Sequence, residues 1–479
     1  MRIASVVGLG VGLGVGLGLG LSTLLGGCGG HNGGGNGNGS GSGNDGGVPD
    51  ASCMGSLCYV NCDAMGKPDT AITGTVFAPN GTLPLYGIEV YIPTRDPGPI
   101  PDGAGCARCS DNLPGDPVAI TTSDEFGRFN LRGVPSGDNI PLVITTGKWR
   151  RQITIDHVDA CTSNAVPQAR TSLPRDRSEG DMPRIAIATG LADSLECLAR
   201  KLGVADSEIT NAAGGGHIQL FAGSNGKDRF VAGFPGGDAA QFSVAKDTLW
   251  NKAATLEQYD IVMLSCEGAQ VADEKPIESM QALQDYANAG GRVFLSHWHN
   301  VWIEGEEGKP SHGLPDWQAV ANWTTNTQEL PADSSSFIDE VHNPKGPSFA
   351  SWMMNVGGST VRDQIVLQNA PPDPTNGNMV LSTGRSTCSG VNTAERWVYL
   401  PDETAPIPSR GTQNFQFTTP VAADPDQRCG KVVFSDMHVS GSSGVGDYPD
   451  SCGSNELTPQ EKALAFMFFD IASCVGQLM

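Results

Sequence analysis

Positive charge is what this chain has least of: 30 Lys and Arg stand against 52 Asp and Glu, a formal net charge of −22 with a pI near 4.6. That balance excludes the basic footprint of a nucleic-acid binder and a cationic grip on anionic lipid. Helix-forming residues are scarce from Met1 to Gly27, where seven glycines fall between Gly8 and Gly20, so the stretch makes a poor membrane helix. Apolar side chains are almost missing from Gly29 to Gly47, a run of Gly, Asn and Ser that cannot build a core. A second Cys-x-x-Cys at metal-ligand separation is missing beside Cys106-Ala107-Arg108-Cys109, so disulfides rather than a zinc ribbon are expected there.

What is present at the start is one early charge, Arg2, an apolar region, and small residues leading into Cys28, the pattern of a secretion signal. Leu25-Gly26-Gly27-Cys28 resembles a bacterial lipobox. The resemblance implies that residues 1–27 are removed, that Cys28 is lipidated, and that the membrane is a partner through that lipid. Residues 28–50 then form a tether spanning on the order of 25 Å as a random coil. The expected location is the cell envelope, at the outer membrane or cell surface. Taking Cys28 for the lipid leaves twelve of the thirteen cysteines, an even number suited to disulfides. About 430 residues follow, enough for two or three domains.

Residues 51–165 read as a Cys-stapled lead-in followed by a small all-β sandwich. Cys53, Cys58 and Cys62 sit in a loop-rich opening, and five to seven short strands follow from Ile72 to Ile155 with turn signals between them. Thr73-Gly74-Thr75-Val76, Gly87-Ile88-Glu89-Val90-Tyr91, Asp124-Glu125-Phe126-Gly127-Arg128-Phe129 and Val134-Pro135-Ser136-Gly137 together resemble the carboxypeptidase regulatory-like (prealbumin-like) fold. The resemblance implies a seven-stranded accessory module without catalysis. Gly147-Lys148-Trp149-Arg150-Arg151 has two readings: a grip on a sugar or anionic polymer, or a hairpin turn with a packed Trp.

Residues 180–479 read as an α/β domain of flavodoxin-like type with a parallel sheet, entered through Pro183–Gly190 and closed by a helix capped at Thr458-Pro459-Gln460-Glu461. Its centre is the β-α-β unit from Tyr259 to Asn300. Three apolar runs end alike: Tyr259 to Ser265 leads into Cys266-Glu267-Gly268, Arg292 to Ser296 into His297-Trp298-His299-Asn300, and Lys431 to Ser435 into Asp436-Met437-His438. Continuous apolar runs are strands buried on both faces, and open parallel sheets place their ligand crevice past the strand ends. His217 to Gly237 is expected as a Gly-rich hairpin, and Ala245 to Leu256 as helical. Ile365 to Leu367, Trp397 to Leu400 and Phe415 to Phe417 are expected as strands of an antiparallel extension. Trp302, Trp317, Trp323 and Trp352 mark an insertion that either stacks on sugars or packs on the sheet.

Tyr259 to His299, with Gly430 to His438, resembles the class I glutamine amidotransferase-like superfamily and its ThuA-like branch. In that family the second of these strands ends in a nucleophilic Cys on a sharp elbow followed by Gly, with a distant His as base. Here His297 occupies the elbow and no Cys-x-Gly follows, so amidotransferase activity is not expected. Cys266 is expected as a disulfide partner. Catalytic candidates are Cys266, Glu267, His297 and His438, with Glu267 or Asp436 as acid or base. Trp298, Asn300 and Trp302 are binding candidates. His297, His299, Asp436 and His438 are candidates for a divalent metal such as zinc, since residues two apart on a continuing strand project to one side. The expected role is binding or structural without catalysis. The alternative is an envelope hydrolase or carbohydrate-active enzyme working in the histidine crevice, with carbohydrate or another envelope component as ligand.

Overall fold

The computed structural model describes residues 51–54, 57–237, 241–324, 334–368, 380–383, 394–400, 412–439 and 442–476. Residues 1–50, where the signal peptide, the tether and the lipid on Cys28 are expected, lie outside the described residues, as does part of the Trp-bearing insertion. Residues from Pro49 onward form one compact unit of several sheets and few helices.

Seven short strands form two sheets. Pro117–Thr122, Glu89–Pro93, Gly137–Thr146 and Trp149–Val158 are antiparallel neighbours in that order. Arg128–Arg132 and Ala71–Thr75 pair antiparallel, and Ser163–Ala165 joins Ala71–Thr75 in parallel. Arg128–Arg132 alternates strictly, so Phe129 and Leu131 enter the core while Arg128, Asn130 and Arg132 face water. Gly74 makes room for that core, because a Cβ there would lie 2.8 Å from the Phe129 ring. The turn before Phe129 is held by Asp124 Oδ1, which accepts from the backbone N–H groups of Phe126 at 2.9 Å and Arg128 at 2.8 Å.

The second assembly is a mixed sheet of eleven strands. Ile209–Asn211, Ile218–Ala222, Ile185–Ala188, Ile261–Leu264, Arg292–Ser296 and Gly430–Ser435 run parallel in that order. Thr412–Thr419, Glu395–Tyr399, Ser335–Ile338 and Gln364–Val366 extend it antiparallel. The three antiparallel runs expected from sequence overlap strands of this extension, with Leu367 and Leu400 falling just past the strand ends. The central strands bury alternate residues on opposite faces. Ile187, Met263, Phe294 and Val433 enter one core, and Ala188, Val262, Leu295 and Phe434 the other. Both faces being covered is why these strands read as unbroken apolar runs.

One expectation fails. His217 to Gly237 is not a hairpin, because Ile218–Ala222 is a fully buried strand pairing in parallel with Ile185–Ala188. Its partner Ile185–Ala188 lies well before it in the chain, and the surrounding glycines, with the polar Gln219 inside it, mask the buried run Ile-Gln-Leu-Phe-Ala. The helical stretch near Ala245 to Leu256 is two short helices, Ala245–Thr248 and Ala253–Leu256. The closing helix Pro459–Ala472 carries the expected capping box between Thr458 and Glu461.

The two assemblies share the core that lines one face of the large sheet. Tyr86 stacks on Phe466 at 5.9 Å, Trp149 meets Phe469 at 6.3 Å, and the Trp352 indole donates to the Pro84 carbonyl at 2.8 Å. Trp149 is thus packed, as the hairpin reading of the basic cluster required. The Cys-x-x-Cys is two staples: Cys106 bridges Cys429, and Cys109 bridges Cys474. Cys62–Cys161 and Cys197–Cys452 are further bridges, and Cys58 is also disulfide-bonded.

Candidate functional site

The strands Ile261–Leu264, Arg292–Ser296 and Gly430–Ser435 are adjacent and in register, with Ser296 opposite Ser435. Their continuations emerge at one edge of the sheet. The three terminal serines are completely buried and each is spent on a loop. Ser265 Oγ accepts from the Leu195 N–H at 3.3 Å, Ser296 Oγ donates to Asp193, and Ser435 Oγ donates to the Met437 carbonyl at 2.9 Å. Asp193 binds the edge together, since its Oδ1 also accepts from the N–H groups of Val439 and Ser194, each at 2.8 Å. Sequence reasoning missed this carboxylate, which lies just ahead of the helix Leu195–Lys201.

Inside that frame Cys266, His297 and His438 converge. One donor atom from each lies within 4.8 Å of the other two, and all three residues are buried. Cys266 Sγ is 3.5 Å from His297 Nδ1, and His438 Nε2 is 3.1 Å from the same nitrogen. On the far side of the ring His297 Nε2 faces Asp436 Oδ1 at 3.5 Å. The Gly268 N–H points at Cys266 Sγ from 3.4 Å. Burial pushes the Cys266 thiol up, against the lowering influence of His438.

His297 has a positive φ of 44°. It sits where Arg292–Ser296 breaks into the short turn His297–Asn300. A non-glycine residue held left-handed is strained, and such strain concentrates where geometry serves a site. The chain therefore turns sharply at an imidazole-bearing residue.

Other candidates fall outside the cluster. His299 is spent internally: its Nε2–H donates to the Ser265 carbonyl at 2.9 Å, and its Nδ1 accepts from the Trp302 indole at 3.0 Å. With both nitrogens used it offers no lone pair to a metal. Burial, with Lys275 nearby, holds its pKa well below the usual histidine range. The expectation that His297 and His299 project together fails because the strand stops at Ser296 and the chain turns. Cys266 is a free thiol, not a disulfide partner. Glu267 is not poised as an acid or base either: its Oε1 accepts from the Ser224 N–H at 2.8 Å and its Oε2 pairs with Lys275 at 2.5 Å, both side chains buried.

The binding candidates also turn inward. Trp302 lies in the core edge-on to Trp250 at 5.7 Å. Asn300 is buried, accepting from Gln270 and donating to Glu304. Trp298 alone is half-buried, 5.1 Å from the His297 ring. Trp317 packs edge-on against Phe417 at 5.5 Å, so this part of the insertion packs on the sheet.

No family model matches the chain, and no curated protein matches it. Among solved structures, one likeness is to a ThuA-like protein from Bacteroides uniformis. It shows 10% identity over 60% of this chain and 90% of that one, with a TM-score of 0.25. Two others are type II cohesin–X-dockerin complexes from Acetivibrio cellulolyticus, both 14% identical with TM-scores of 0.16. They cover 26% and 31% of this chain, and 78% and 88% of theirs.

Proposed function

We propose that the protein is a lipid-anchored cell-envelope protein whose parallel sheet holds one divalent metal ion, zinc, on Cys266, His297 and His438, and that its role is binding rather than catalysis. The convergence of three soft donors carries this reading. With Zn–S of about 2.3 Å and Zn–N of about 2.05 Å, a tetrahedral site puts sulfur and nitrogen about 3.6 Å apart and two nitrogens about 3.3 Å apart. From His297 Nδ1 the separations are 3.5 Å to Cys266 Sγ and 3.1 Å to His438 Nε2, and the third pair lies within 4.8 Å. Asp436 behind His297 supports it, since metal-ligating histidines commonly give their other N–H to a carboxylate. Thiolate with imidazole favours zinc over magnesium or calcium.

The reading places the lipid on Cys28, treats the seven strands as a carboxypeptidase regulatory-like sandwich, and treats the parallel sheet as an amidotransferase-like domain of flavodoxin-like type. Its ligand class beyond the metal is carbohydrate or another envelope component. Three protein donors leave a fourth position open, which favours the second reading, an envelope hydrolase or carbohydrate-active enzyme. The near-complete burial of all three donors supports the first.

Elemental analysis of the full chain purified without chelator tests the metal. One zinc per chain is expected, lost in Cys266→Ser and in His438→Ala while the circular dichroism stays native. A folded, metal-free protein that takes up no added zinc sinks the proposal. Turnover of glycans or amides by the zinc-loaded chain moves it to the hydrolase. Mass spectrometry of the mature amino terminus tests the anchor, and an unmodified chain beginning at Met1 overturns it.

A further inference from the structure

A cavity lies at the opposite edge of the parallel sheet, where the strands begin. It measures about 400 Å³, within the range of small-molecule sites. One wall is the loop around Pro97, Pro99, Pro101 and Pro114; another is the four-stranded sheet, through Tyr91; the third is the sheet edge, through Arg292. Cys106–Cys429 and Cys109–Cys474 fasten the loop wall to the sheet edge.

Four cations line this cavity beside the carboxylates of Glu89, Asp111 and Asp260, and two of the cations are held in ion pairs. Lys148 pairs with Asp260, and Arg150 with Asp181 at 2.8 Å. Arg292 is nearly buried and spends its donors on backbone, giving to the carbonyls of Gly290 and Cys429 at 2.7 Å each and of Ser473 at 3.3 Å. Arg108 gives one N–H to Cys429 Sγ at 3.5 Å. The two guanidiniums therefore meet at Cys429 without a carboxylate between them. Each keeps a buried Nε with no hydrogen-bond partner among the described residues, and so does the Tyr91 hydroxyl. Burial pushes the Tyr91 phenol up to about 12, so it stays protonated and can donate.

We infer that this cleft binds a small organic carboxylate with an apolar, ring-bearing body, its charge held by Arg108, Arg292 and Tyr91. Leftover donors on two cations call for an anion, and guanidinium forks match carboxylate oxygens. The proline wall receives the apolar body, and a wall held by proline rings and two disulfides loses little freedom on binding. The inference uses none of the metal-centre residues and stands apart from that proposal.

The test is a ligand-observed NMR screen of the full chain against a paired library of aryl carboxylates and their neutral carboxamides. Carboxylates are expected to dominate the hits, with Arg108→Gln weakening them at least about tenfold and Tyr91→Phe less. Thermal midpoints of the variants keep unfolding from being mistaken for lost binding. Three outcomes overturn the proposal: no hits, carboxamides binding as well as carboxylates, or carboxylate binding unchanged in both folded variants.

Discussion

Arg292 and His297 lie five residues apart, at the two ends of one strand, and the sheet edges they mark spend their polar groups in opposite ways. At the His297 edge almost everything is spent within the protein. Asp193 serves three donors, Glu267 is locked to Lys275, and Lys227 is locked to Glu196 with both side chains fully buried. What gathers there is one donor atom each from Cys266, His297 and His438, within 4.8 Å of one another. At the Arg292 edge the cations keep unspent N–H groups around a cavity, with room for a molecule. On the two proposals, one sheet would offer an ion site at one edge and an organic-anion site at the other, set by how its loops use their polar groups.

The comparison breaks most visibly if the staples are removed. Replacing Cys106, Cys109, Cys429 and Cys474 with serine should lower stability by about 2–5 kcal/mol for each of the two bridges. Urea unfolding measures this, and carboxylate binding should vanish while zinc stoichiometry stays at one. Loss of zinc as well would mean the two edges are not independent. Next in size, Asp193→Ala should cost about 2–4 kcal/mol, because the Val439 and Ser194 N–H groups and the Ser296 hydroxyl lose their acceptor. It should impair zinc binding and spare the cleft.

Asp436→Asn sharpens the contrast further. It should weaken zinc binding about 10–100-fold in a competition assay against a chromophoric chelator, with the thermal midpoint of the apo protein nearly unchanged. The smallest effect concerns Glu304, just beyond the His297 elbow. Burial, with Glu307 adding, raises its carboxyl to about 7. The folded chain holds that proton longer than the unfolded chain, so stability should fall as pH rises from the ordinary carboxylate range toward 7. Glu304→Gln should flatten this part of the urea-midpoint profile; an unchanged slope would assign the effect elsewhere.

The parts legible from sequence were those whose cause is local. Ile261–Leu264, Arg292–Ser296 and Gly430–Ser435 announce themselves because burial on both faces demands unbroken apolar residues, and parallel strands must deliver Cys266, His297 and His438 to one edge. The capping box at Thr458 is equally local. Asp193 was illegible because two of its three partners, Ser296 and Val439, lie at or beyond the ends of separate strands that meet only in the fold. His299 misled because its spacing from His297 carries meaning only if the strand continues, and a positive φ at His297 ends it. The staples at Cys106 and Cys109 were hidden for a similar reason, since spacing names a motif without naming partners more than 300 residues away.

Those staples also impose an order in time. Cys106 and Cys109 are synthesised 323 and 365 residues before Cys429 and Cys474. At roughly 5–20 residues per second, the partners follow on the order of 20–70 s later. Throughout that delay the two early thiols have each other within easy reach. The nascent chain must hold them apart, or must reopen a premature bridge between them, before the loop can be sewn to the finished sheet.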